Sequence, residues 1–160
     1  MKKTQVIARV LAWFNLVFWG VGLVNSLFSP LMNLAIMVVL VSIPLSSFAA
    51  LQLHKSIRNP EVKLSHQTPV GIRFVGIIAL LIGIGLAGIG IILAQYAREL
   101  LPSWIEQSAA MKDPPPFNTV GGLQVAGAFL ALLGFAVIFG VVLNMRLLRW
   151  YYLVKQSDVS

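Results

Sequence analysis

Cysteine is absent from this 160-residue chain, which removes disulfides, thiolate nucleophiles, cysteine-ligated metals and iron–sulfur clusters together. Charge is scarce as well. Only 11% of the residues are Asp, Glu, Lys or Arg, against roughly 25% in soluble domains, too few to cover a soluble surface. The charges also avoid long tracts: no Asp, Glu, Lys, Arg or His occurs from Val10 to Leu53, from Phe74 to Ala97, or from Pro114 to Met145. A helix needs about 20 apolar residues to cross roughly 30 Å of hydrocarbon. The first tract therefore holds two crossings and each of the others one. A secreted disulfide scaffold, a disordered charged tail and a nucleic-acid domain built on a soluble core are excluded.

The remaining composition, 58% hydrophobic, predicts an all-α polytopic membrane protein. It has four transmembrane helices in an antiparallel bundle, forming a single membrane domain over 1–160. The expected helices are about 5–28, 30–54, 69–99 and 120–152, with an outer loop at 100–119. The basic start Met1-Lys2-Lys3 followed by an apolar stretch has the order of a signal peptide, but the apolar run continues to Phe28, longer than an h-region of roughly 7 to 15 residues. Ser29-Pro30 reads as an N-cap followed by proline at the first helical position, and Asn59-Pro60 marks a turn.

Basic residues sort by side. Lys2, Lys3, Arg9, Lys55, Arg58, Lys63, Arg73, Arg146, Arg149 and Lys155 fall on one face, and Arg98 and Lys112 on the other. Ten against two places both termini in the cytoplasm, most simply at a bacterial inner membrane. The two faces then carry +8 and −1 of the total +7. The basic excess is thus a topology signal and an attraction to anionic lipids, with no nucleic-acid partner expected. Arg146, Arg149, Trp150 and Tyr151 are expected to form an inner, lipid-facing belt.

Transmembrane helices associate through small residues that let backbones approach. Gly76, Ala79, Gly83, Ala87, Gly90, Ala94 and Ala97 recur at spacings of 3, 4, 4, 3, 4 and 3, one continuous stripe and the expected helix-packing interface. Helix 4 offers Gly127, Ala131 and Gly134 as a counterpart. In the second helix, Pro44 removes a backbone hydrogen bond and frees the carbonyl of Leu40. Asn15 with Ser42, Ser46 or Ser47 is expected at the same depth as Pro44, Gly83 and Ala136, either as a polar clasp between helices 1 and 2 or as a small pocket.

Chemistry is harder to find. No ionisable group lies inside any span, whereas pumps and proton-coupled transporters place them there. His54 and His66 bracket the loop between helices 2 and 3 and read as surface histidines. No paired acids or nucleophile–base arrangement is evident, so no enzyme activity, metal or cofactor is expected. In the outer loop, Pro102 can open a short amphipathic segment. There Trp104 and Ile105, with Phe117 beyond the stiff Asp113-Pro114-Pro115-Pro116 run, offer a docking surface for a periplasmic or membrane partner.

These features predict a small, non-catalytic integral subunit that packs on, assembles or stabilises a larger membrane protein complex, with membrane lipids and other membrane subunits as partners. The alternative is a homo-oligomeric transporter or channel for a small solute, lined by Asn15, Ser42, Gln95, Gln124 or Asn144.

Overall fold

A computed structural model describes residues 2–27, 34–59, 61–110 and 117–157. It is all-helical, with no strand among the described residues. In chain order the elements are α1 (Lys2–Leu27), α2 (Leu34–Arg58), α3 (Gln67–Val70), a π turn (Gly71–Val75), α4 (Gly76–Gln95), α5 (Ala97–Ala110) and α6 (Val120–Ser157). Among the described residues, three stretches are long and apolar enough to cross a membrane: Lys3–Ser26, Gln67–Gln95 and Val120–Val154. Their outward surfaces explain why. Val21 on α1, Leu81 on α4 and Val125 on α6 are 66%, 65% and 70% exposed, an arrangement that water would penalise and lipid would not. The chain is a membrane protein on this evidence.

Helix α1 starts earlier than expected, at Lys2, and α2 and α6 run on to Arg58 and Ser157; three further departures lie within the chain. Gln67–Gln95 is followed by a break at Tyr96 rather than by helix to Glu99. The break is shallow: Tyr96 N–H donates to Ile92 O, and Tyr96 O accepts from both Glu99 and Leu100 N–H. Secondly, much of the expected outer loop 100–119 is helix, because α5 extends from Ala97 to Ala110 with Pro102 inside it. Thirdly, the span before α4 contains a π turn, in which Gly76 N–H donates five residues back to Gly71 O as well as to Arg73 O. Ser29-Pro30, Pro60 and the run 113–116 lie outside the described residues. The Thr119 cap of α6 is formed as its chemistry suggests: Thr119 Oγ1 accepts from Gly122 N–H at 3.1 Å.

The residues group into two compact units. One comprises Met1–Ile82 with Ala136–Ser160, the other Gly83–Phe135. The first has a buried apolar cluster of Ala8, Ala49, Leu53, Ile72, Leu147 and Leu148, so the beginning of α1 lies against the end of α2. Gly71 is needed in that unit because a Cβ there would stand 2.9 Å from Ala49 Cβ on α2.

Candidate functional site

The interior of the first unit is polar as well as apolar. Asn15, Ser42, Ser46, Ser47, His54, Ser56, Thr68 and Asn144 are all buried, and Asn15, Ser46, His54, Thr68 and Asn144 hydrogen-bond to helix carbonyls or to other side chains. Asn144 Nδ2 donates to Gly140 O at 2.7 Å, one helical turn back on α6. Its Oδ1 stands 3.1 Å from His54 Nε2. Because the amide nitrogen is committed to a carbonyl, the oxygen faces the imidazole, and Nε2 must be the protonated, donating nitrogen. The expectation of a surface His54 is therefore corrected: α2 continues as helix to Arg58, and that last turn presents the ring to α6. His66 is exposed.

Asn15 also reaches α6. Its Nδ2 donates to Ala136 O at 3.2 Å, and Gly140 makes room, since a Cβ there would stand 3.0 Å from that nitrogen. The expected clasp between helices 1 and 2 is thus redirected to α6. Ser46 Oγ donates instead within its own helix, to Ile43 O at 2.9 Å, just beyond the gap that buried Pro44 leaves in the ladder. Asn15 Oδ1 is buried without a hydrogen-bond partner. It borders a cavity of about 10 Å³ shared with Ser46, Ser47 and Asn144. A single water requires roughly 10–15 Å³ measured this way, so this cavity holds at most one water. The four residues form a polar packing joint.

The second unit is held differently. Gly83, Ala87 and Gly90 of α4 are buried and Ala94 half-buried, and they face Gly127, Ala131 and Gly134 of α6. A Cβ on Gly90 would stand 2.6 Å from Gly127 O, and one on Gly127 would stand 2.7 Å from Gly90 O. Ala131 N and Ala94 N lie nearer still to those two positions, so the helices meet main chain to main chain. Gly134 repeats the arrangement, its missing Cβ lying 2.7 Å from Gly83 O. Leu93 Cβ also comes within 2.9 Å of the position a Gly127 Cβ would take. Gly76 and Ala79, at the other end of the stripe, belong to the first unit, where Gly76 packs on Val141 and Met145.

The remaining predicted residues are dispersed. Arg146 and Arg149 are exposed, but Tyr151 is half-buried against the apolar cluster and meets Tyr152 edge-on at 5.8 Å. It is therefore partly a core residue rather than purely part of a lipid-facing belt. Ile105 and Phe117 are each 40% exposed, while Trp104 is half-buried with its indole nitrogen inside. Of the residues considered for a pore, Asn15, Ser42 and Asn144 are buried in the first unit, and Gln95 and Gln124 are exposed in the second. No cluster of three or more His, Cys, Asp or Glu suited to a metal occurs among the described residues. No protein-family model, curated protein or solved structure matches this chain.

Proposed function

We propose that this protein is a small, non-catalytic integral membrane subunit that packs on and stabilises a larger membrane protein complex. The observation that carries the reading is a division among its helical glycines. Gly90, Gly127 and Gly134 are pressed against backbone, whereas Gly20, Gly22, Gly85, Gly88 and Gly121 have nothing within 4 Å of the position a Cβ would take. A glycine inside a helix costs about 0.5–1 kcal/mol relative to alanine. Among the described residues nothing occupies the space a side chain would take at these five, and in lipid an outward-facing glycine leaves room for another helix or for an acyl chain. Gly85 and Gly88, one turn apart and both exposed on α4, form the proposed partner face.

In this reading the chain crosses a bacterial inner membrane four times as an antiparallel bundle with cytoplasmic termini. The excess of basic residues near the ends supports the orientation, and α2 supplies the fourth span through an uncharged stretch from Leu34 to Leu53. Native mass spectrometry after gentle detergent extraction tests the assignment. A foreign membrane subunit is expected in defined stoichiometry, lost when Gly85→Leu and Gly88→Leu are introduced together. A symmetric homo-oligomer with no other protein, conducting or transporting solute in liposomes, would overturn it in favour of a channel or transporter.

A further inference from the structure

The first unit carries a basic crevice that the packing role leaves unused. Arg9 and Trp13 of α1 face Leu51, His54, Lys55 and Arg58 of α2 across a space of about 400 Å³. Arg9, Lys55 and Arg58 are exposed at its rim, and no ion pair involves them among the described residues. His54 forms a fixed wall, because its Nε2 is held by Asn144. The concentration of three permanent cations around one opening calls for an anion with several oxygen acceptors, and phosphate satisfies that chemistry.

The adjoining surface specifies what else the anion carries. One turn beyond Trp13, α1 alone borders an open, largely apolar groove of about 560 Å³ along Leu16, Val17, Gly20, Val21 and Val24, ending at Asn25. With about 1.5 Å of rise per residue, Trp13 to Val24 spans roughly 16 Å. That matches one leaflet of a hydrocarbon core roughly 30 Å thick. Gly20 forms a notch in this groove, with open space where a Cβ would stand. A free phosphate would use the rim and leave the groove empty.

We propose that the crevice binds the phosphate of an anionic glycerophospholipid, with an acyl chain lying in the α1 groove. Trp13, 53% exposed, stands at the junction, where an indole suits the boundary between headgroup and chain. The site is independent of the partner face at Gly85 and Gly88, so either assignment can fail alone.

The test uses the full chain in detergent, titrated with phosphatidylglycerol or phosphatidylcholine of identical chains and read by native mass spectrometry. Phosphatidylglycerol is expected to be retained at least tenfold more strongly. Arg9→Gln with Arg58→Gln should weaken it about thirtyfold, from the loss of two surface cations, whereas Arg146→Gln with Arg149→Gln should change it less than threefold. Gly20→Phe, which fills the groove and leaves the rim intact, should weaken the lipid and spare any binding of inorganic phosphate. Equal retention of the two lipids would overturn the proposal, as would equal losses from the two arginine pairs, which would reveal general surface attraction. Displacement of the lipid by millimolar inorganic phosphate, with Gly20→Phe silent, would assign the crevice to free phosphate instead. Thermal unfolding of each variant verifies that the fold is retained, and the wild-type lipid comparison stands without any substitution.

Discussion

The two units solve the same problem with opposite means. In Gly83–Phe135 the helices approach until backbone meets backbone at Gly83, Gly90, Gly127 and Gly134. In the unit made of Met1–Ile82 and Ala136–Ser160, the helices are joined through side chains, with Asn15 and Asn144 carrying hydrogen bonds to α6 carbonyls and His54. The glycine joint tolerates no added atom. The polar joint depends on matched partners, since its donors and acceptors are buried. Lipid favours both, since neither relies on a hydrophobic difference between helix and solvent.

The comparison can be broken most severely at the glycine joint. Gly90→Leu should destabilise the protein by more than about 3 kcal/mol, the upper range for overpacking, because the obstructing atoms are Gly127 O and the backbone of Ala131. Thermal unfolding in detergent should show a large drop or loss of the folded species, and an unchanged transition would mean that the helices do not approach this closely. Next comes Asn144→Leu, which strands the buried His54 donor at a cost of about 1–3 kcal/mol. If Asn144→Leu cost markedly less in a His54→Phe background than in the wild type, the hydrogen bond would be the cause. If the two losses simply added, the pairing would be refuted.

Asn15→Leu should cost less, about 0.5–1 kcal/mol, because it removes one hydrogen bond to Ala136 O but also an acceptor that is buried and unpaired. A loss as large as that of Asn144→Leu would mean that Oδ1 has a partner. The smallest effect belongs to Gly85→Ala and Gly88→Ala. Open space and better helix propensity should leave the isolated chain unchanged or up to about 1 kcal/mol more stable. A marked destabilisation would show that these positions are already in contact.

The glycine joint was legible because its signal is periodic. Small residues every three or four positions mark one helix face, and Gly83, Ala87, Gly90 and Ala94 of that stripe stand against Gly127, Ala131 and Gly134, whereas Gly76 and Ala79 do not. Length and the absence of charge likewise marked three spans that the structure contains. The polar joint was only half legible. The depth of Asn15 beside Ala136 followed from counting residues inward, but serines on α2 offered equally good partners and only the packing selects α6. His54 and Asn144 are 90 positions apart, a pairing with no periodicity, and a histidine next to Lys55 looks like surface. The break at Tyr96 was hidden for another reason. Neither glycine nor proline adjoins it, and hydrogen bonds continue through it.

The π turn makes this chain unequally sensitive to a kind of change that substitutions do not probe. Each residue of an α-helix turns the chain by about 100°, and the extra residue held between Gly71 and Gly76 is taken up within one wider turn. Before the turn, Thr68 and Gly71 address Gln52 and Ala49 of α2; after it, Gly76 addresses Val141 and Met145 of α6. Deleting one residue within 71–75 would let an ordinary i→i−4 bond close where Gly76 N–H now reaches Gly71 O, and leave the downstream small residues on their faces. The same loss in the regular helix just after Gly76 would act as a frameshift of faces, altering no side chain in the stripe while misdirecting those that follow.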